Sequence, residues 1–261
     1  MKNSAVIVIP ARYQSTRFPG KPLALIKGKA VIERVYQVAM ATGLPQEKIF
    51  VATDDQRIKD KVESFGGNVI MTSTNPQTGT DRVLEAILNA ELSPEIIVNL
   101  QGDQPLMPPF IVKSLIDELT NNQQVEIATP AMKLTEKALQ EYKETINAGM
   151  VGGTTVVFDN QGYALYFSKG TIPYTLRGDA DIFLHIGLYA FRPNSLKRFC
   201  QLPQSRLELA EGLEQLRALE NQMKIKVTLV DPKKRSFAEI NNPADIEFAE
   251  KIIDEQGEVV Q

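Results

Sequence analysis

The chain is poor in the side chains that usually announce chemistry. It has one cysteine, Cys200, and one histidine, His185. A single cysteine excludes an intrachain disulfide and favours a reducing compartment. Cys200 falls in an amphipathic segment after Pro193, where a cysteine serves as small core filler. A lone histidine excludes a histidine metal cluster, so His185 is expected as a neutral hydrogen-bonding ring. No apolar run approaches membrane-spanning length. The first strand-like run begins without a basic and apolar leader, and the expectation is a cytoplasmic protein. Neither sign of charge is in excess: a net charge of −3 gives no global field that would draw nucleic acid, so any anion site must be built locally. Internal repeats and low-complexity linkers are absent as well. The 261 residues, 43% hydrophobic and 23% charged, suit a globular enzyme of one large domain or of one domain with a sizeable insertion.

What is present concentrates near the N-terminus. Ala5 to Ile9 is a short apolar run that reads as a buried strand. The loop after it, to Leu23, carries Arg12, Arg17 and Lys21 and no carboxylate. Pro10, Pro19 and Pro22 stiffen it. A stiff cationic loop at the carboxyl end of a first strand suits a polyphosphate. It is not a P-loop, because Pro22 follows Gly20-Lys21 where that motif has Ser or Thr.

The first half of the chain alternates helix-like and strand-like segments. Helices are expected over 30–41, 56–65 and 80–89, and strands over 48–52, 68–71 and 96–100. Asp54 or Asp55 is the expected cap of the second helix. Further on come a helix from Pro109 to Leu119, a strand from Gln124 to Met132 and a helix capped by Thr135 to about Tyr142. An amphipathic helix covers 206–221, and a strand runs from Ile225 to Val230. Asn242 is the expected cap of the last helix, with Pro243 in its first turn. This alternation predicts an α/β fold: a doubly wound, mainly parallel sheet of Rossmann-like type.

Three further stretches carry chemistry. In Thr78-Gly79-Thr80-Asp81-Arg82, a glycine and hydroxyls precede a helix, so free backbone N–H groups can meet a base edge or a phosphate. In Asn99-Leu100-Gln101-Gly102-Asp103, a buried strand ends in an amide, a glycine that permits close approach, and a carboxylate. Asp103 projects where a metal can bridge it to phosphate oxygens. In His185-Ile186-Gly187-Leu188-Tyr189, read as a strand, His185, Gly187 and Tyr189 share one face.

Ala11-Arg12-Tyr13-x-Ser15-Thr16-Arg17-x-Pro19-Gly20-Lys21-Pro22-Leu23 resembles the nucleotide-binding signature of the CMP-Kdo synthetases, the 3-deoxy-manno-octulosonate cytidylyltransferases. The resemblance extends over nearly the whole chain, through Thr78–Arg82, Gln101–Asp103, Gly162–Ser168, His185–Tyr189 and Leu213–Arg217. It implies one nucleotidyltransferase domain over 1–261, with a smaller β-rich insertion, roughly 130–195, for sugar binding and dimerisation. It implies a homodimer that uses CTP and an acidic eight-carbon sugar for lipopolysaccharide synthesis, with no nucleic acid or membrane partner. Catalytic roles are implied for Arg12, Lys21 and Asp103. CTP binding is implied for Ala11, Arg12, Ser15, Arg17, Lys21, Thr53, Gly79 and Thr80, with Arg82 as a supporting ion pair. Sugar binding is implied for Gln101, Lys169, His185, Tyr189, Glu214 and Gln215. The metal, Mg²⁺, would rest on Asp103 with Asn241, or with Glu239 reaching over.

The sequence also departs from the resemblance. Gln104 replaces a Glu, Thr155 a Lys, Lys169 an Arg, and Asn241 the second metal Asp. A Gly-rich stretch, 149–153, reads as a locally mobile segment. These changes keep two other readings open: the same chemistry on the 8-amino analogue of the sugar, and a non-catalytic nucleotide- or sugar-binding paralogue.

Overall fold

The computed structural model describes residues 4–15, 17–148, 153–176, 180–231 and 235–260. Thr16 of the cationic loop and Gly149–Gly152 of the Gly-rich stretch lie outside them. The chain divides into two compact units, 1–116 with 232–261, and 117–231.

The first unit is built on strand β1 (Ala5–Pro10), whose six residues are all buried. A small hairpin follows, β2 (Leu25–Ile26) with β3 (Lys29–Ala30). Helix α1 (Val31–Met40) leads to β4 (Ile49–Thr53), α2 (Gln56–Ser64) to β5 (Val69–Met71), and α3 (Gly79–Asn89) to β6 (Ile96–Asn99). Helix α4 (Pro109–Asn121) comes next and crosses the boundary between the units. The sheet order is β5-β4-β1-β6, with every pair parallel. From β1 the chain moves outward through β4 and β5, then returns to β6 on the other side of β1. The space beyond the carboxyl ends of β1 and β6 is therefore a topological switch point, where open α/β sheets bind ligands. Asp55, of the two candidates, caps α2, its side chain accepting from the Arg57 N–H. The C-terminal helix, Ala244–Gln256, belongs to this unit.

That helix corrects an expectation. Asn242 does not cap it. The Asp245 carboxylate, in its first turn, accepts from the Asn241 and Asn242 N–H groups at 2.6 and 2.7 Å. A carboxylate does the capping better than an amide because its charge favours the helix N-terminus.

The second unit contains β7 (Ile127–Lys133), α5 (Glu136–Asn147), β8 (Thr155–Phe158), β9 (Ala164–Ser168), β10 (Phe183–His185), β11 (Tyr189–Phe191), α6 (Pro193–Gln201), α7 (Arg206–Glu211), α8 (Leu216–Glu220) and β12 (Ile225–Leu229). Strand β7 is central. It pairs antiparallel with β10 and β11 and parallel with β12, while β10 pairs with β8 and β8 with β9. Two expectations fail here. The helix over 206–221 is two helices, because Gly212 adopts a left-handed conformation (φ 65°, ψ 35°) that ends α7. The strand through His185 and Tyr189 is two strands, because the Leu188 N–H donates back to the Ile186 carbonyl at 2.7 Å in a tight turn between them. Thr135 caps α5 as expected, but the helix runs five residues past Tyr142, to Asn147.

Candidate active site

At the switch point lies a cavity of about 200 Å³. Three segments of the first unit wall it: the loop after β1, with Ala11, Arg12, Ser15, Arg17 and Lys21; the start of α3, with Thr78, Gly79 and Arg82; and the turn after β6, with Gln101, Gly102 and Asp103. Asn241 completes the lining. Four cations therefore surround a space that holds one carboxylate.

Each wall has a local cause. A Cβ on Gly102 would come within 2.6 Å of the Pro10 carbonyl oxygen, so only glycine lets the two strand ends close around the cavity. The turn after β6 is tied to the C-terminal segment by the Ile240 N–H, which donates to the Asp103 carbonyl at 2.8 Å. Helix α3 starts with a reciprocal cap, Thr78 accepting from the Asp81 N–H and Asp81 from the Thr78 N–H. Beneath it a buried amide relay runs from Gln101 Nε2 to Asn99 Oδ1 (3.1 Å) and from Asn99 Nδ2 to Thr80 Oγ1 (3.2 Å). The relay fixes the orientation of Gln101 at the cavity wall. Arg82 is buried and held by Asp54 at 3.2 Å and by the Thr72 hydroxyl at 2.5 Å.

Lys21 and Asp103 form an ion pair at 2.8 Å across the cavity. Arg17 donates to Asn241 Oδ1 at 3.4 Å. Glu239, behind Asn241, accepts from Gln104 Nε2 at 3.1 Å and lies 3.5 Å from Asn241 Nδ2. Gln104 thus stands where a second Glu would face Glu239 directly; the amide replaces a repulsive contact with a hydrogen bond. Among the described residues, no group of three or more His, Cys, Asp or Glu side chains could hold a metal. The oxygens at the cavity, Asp103 Oδ and Asn241 Oδ1, nevertheless fit a hard cation that takes one or two protein ligands and completes its shell with phosphate oxygens and water.

The structure does not bring every expected nucleotide residue to the cavity. Thr53 is fully buried and its hydroxyl accepts from the Asp55 N–H at 3.2 Å. Thr80 is buried under the relay. Pro76 and Thr78 line the cavity without having been assigned to it. Their signal in the sequence was only a proline and a capping residue before α3.

In the second unit two of the expected sugar residues, Lys169 and Tyr189, lie near His185. Its ring packs edge-on to Phe167 with centroids 4.9 Å apart, and the Tyr189 ring lies 5.6 Å away. The imidazole pKa is pushed down to about 3, first by burial and second by the Lys169 cation. Lys169 is positioned through its backbone: its N–H donates to Glu211 Oε2 at 2.8 Å, and its carbonyl accepts from the Tyr142 hydroxyl at 3.2 Å. Glu211 also accepts from the Ser168 hydroxyl at 2.9 Å. Thr155 ties down the same segment, donating to the Gly170 carbonyl at 2.6 Å and accepting from the Ile172 N–H at 3.2 Å. Glu214 and Gln215 sit in the turn between α7 and α8, with Gln215 buried. Glu211 is a member of this cluster that the sequence did not reveal, because the helix break beside it was hidden.

Residues 6–225 match the cytidylyltransferase family. The chain belongs to that family. A 3-deoxy-manno-octulosonate cytidylyltransferase from Maricaulis maris (strain MCS10) is 42% identical over 260 residues, spanning 98% of this chain and 100% of the relative. An 8-amino-3,8-dideoxy-manno-octulosonate cytidylyltransferase from Shewanella pealeana (strain ATCC 700345 / ANG-SQ1) is 43% identical over 251 residues, 95% of this chain and 97% of the relative. The solved structure of a CMP:2-keto-3-deoxy-manno-octonic acid synthetase complexed with CTP superposes with a TM-score of 0.85 at 35% identity, covering 97% of this chain and 99% of the other. The cytidylyltransferase fold and this cavity thus stand together on one chain.

Proposed function

We propose that this cytidylyltransferase transfers the cytidylyl group of CTP to a 3-deoxy-2-ulosonic acid of the Kdo type, giving the CMP-sugar and pyrophosphate, as a step toward lipopolysaccharide. The observation that carries this reading is the cavity at the β1–β6 switch point, with Arg12, Arg17, Lys21 and Arg82 around Asp103. The names of relatives 42% and 43% identical to this chain support it.

The anomeric hydroxyl oxygen of the sugar forms a bond to the α-phosphorus while the bond from that phosphorus to the α,β-bridging oxygen breaks. The hydroxyl proton leaves to solvent, and pyrophosphate departs with the bridging electron pair. Arg12, Arg17 and Lys21 hold the triphosphate and stabilise the charge that grows on pyrophosphate. Backbone N–H groups at Gly79 meet the nucleotide. Asp103 and Asn241 would hold Mg²⁺. When bound, the ion would neutralise phosphate charge and lower the pKa of the sugar hydroxyl. Gln101 presents its relay-fixed amide to the sugar. Lys169 meets the sugar carboxylate as a point charge, and His185 and Tyr189 contact its hydroxyls. The stretch of roughly 130–195, within the second unit, is in this reading the sugar-binding and dimer-forming part. Its setting is the cytoplasm, consistent with the single cysteine.

A second reading, transfer to the 8-amino analogue, is favoured by Glu211, a carboxylate in the cluster that carries Lys169. Phosphorus NMR of CTP with Mg²⁺ and each acid sugar tests both. Equal amounts of a new phosphodiester and pyrophosphate are expected, and the ratio of kcat/KM values identifies the sugar. CTP left intact with both sugars would defeat the proposal and favour a binding-only paralogue.

A further inference from the structure

Thr129 is a polar residue in the buried run Ile127–Ala131 of β7, and it is fully buried. Its hydroxyl oxygen lies 2.8 Å from His185 Nε2 and 2.8 Å from the Leu188 carbonyl oxygen, with the Ile186 carbonyl at 3.4 Å. A threonine hydroxyl carries one proton. A carbonyl oxygen only accepts, so that proton goes to Leu188. If it pointed instead at the ring, two oxygen lone pairs would face each other at 2.8 Å in a buried site, leaving the Leu188 contact without a proton. The Thr129 oxygen must then accept from the ring, which places the imidazole hydrogen on Nε2. Nδ1 keeps its lone pair, and among the described residues only Thr129 meets the ring by a hydrogen bond.

We infer that Thr129 is a positioning residue: it locks His185 in the Nε2–H tautomer and leaves Nδ1 as a hydrogen-bond acceptor for a hydroxyl of the acid sugar. The second half rests on the proposed sugar-binding role of His185; the first half does not. The tight turn at Ile186–Leu188, which splits the expected strand in two, is what delivers the Leu188 carbonyl to Thr129. The depressed pKa of the ring keeps it neutral through the physiological range, so a single tautomer is a meaningful state. A ring fixed in this way accepts only from a donor. It therefore discriminates against a sugar that places an acceptor without a hydrogen at that position.

The test uses the fact that His185 is the only histidine in the chain. In the ¹⁵N-labelled full-length protein at neutral pH, the ring gives one pair of nitrogen resonances with no assignment needed. The expected spectrum has a protonated Nε2 and an unprotonated Nδ1. A protonated Nδ1, or a pair averaged between tautomers, overturns the lock. Thr129→Val should move the pair toward the average and raise KM for the acid sugar about tenfold, the worth of one neutral hydrogen bond, with KM for CTP unchanged. Thr129→Ser should restore both. An unchanged tautomer in Thr129→Val overturns the lock. A shifted tautomer with unchanged sugar KM upholds the lock and refutes the role of Nδ1 toward the sugar. If the valine protein does not fold, the wild-type and serine spectra still decide the tautomer.

Discussion

Replacing His185 with glutamine should change how the protein responds to acid. In the native chain the imidazole is buried and faces the Lys169 cation, which together push its pKa down to about 3. In the unfolded chain it titrates near about 6.5. Between those values the unfolded state binds a proton that the native state refuses. The folded state therefore has its full stability above about pH 6.5 and loses it as pH falls toward 3. At pH 5 the ring is about 1.5 pH units below its unfolded pKa and still well above its native one, which amounts to about 2 kcal/mol of lost stability. His185→Gln removes this term and leaves every carboxylate in place, so carboxylate titration cancels in the comparison. The chain has no tryptophan, so urea unfolding is followed by far-UV circular dichroism. Between pH 7 and pH 5, wild type should lose about 2 kcal/mol more than the glutamine variant. Equal losses would refute a neutral, buried His185.

Gly102→Ala should cost about 1–3 kcal/mol of stability and nearly abolish turnover, because the added methyl meets the Pro10 carbonyl at 2.6 Å and forces apart the two strand ends that form the cavity. Thermal unfolding with a turnover assay reads both effects, and an active protein of wild-type stability would contradict the packing. Asn241→Asp should lower the Mg²⁺ concentration needed for half-maximal turnover, since it adds a negative ligand at the cavity. A higher requirement would show that Arg17, 3.4 Å from the present amide oxygen, captures the new carboxylate.

Much of the first unit was legible in the sequence because its signals are local. The apolar run of β1 and the capping residues before α3 are each set by neighbours within a few residues. The three cations of the first loop likewise pointed to the cavity wall that they form with Pro10 and Pro22. What the sequence concealed depends on groups distant along the chain or on one backbone angle. Leu209, Leu213, Leu216 and Leu219 keep helical spacing through 206–221, and nothing in that spacing shows that Gly212 turns left-handed. Asn242 was the expected cap, and only the fold shows that the Asp245 carboxylate reaches the two N–H groups. Thr53 looked like a pocket residue at a strand end, yet its side chain turns back to the Asp55 N–H. The relay from Gln101 through Asn99 to Thr80 joins two elements about 20 residues apart, as does the Thr129–His185 bond over a longer span. Such contacts leave no periodic trace; a polar residue inside an apolar strand is their only mark.

In the proposed function, the cavity beyond β1 and β6 holds the triphosphate of CTP on its cations. Calorimetric titration of CTP in the presence of Mg²⁺ into wild type and Lys21→Ala tests it most directly. Lys21 lines the cavity, and a charged hydrogen bond is worth about 1.5–3 kcal/mol, so the alanine variant should bind CTP roughly 10- to 100-fold more weakly. CTP bound equally well by both proteins would contradict the claim.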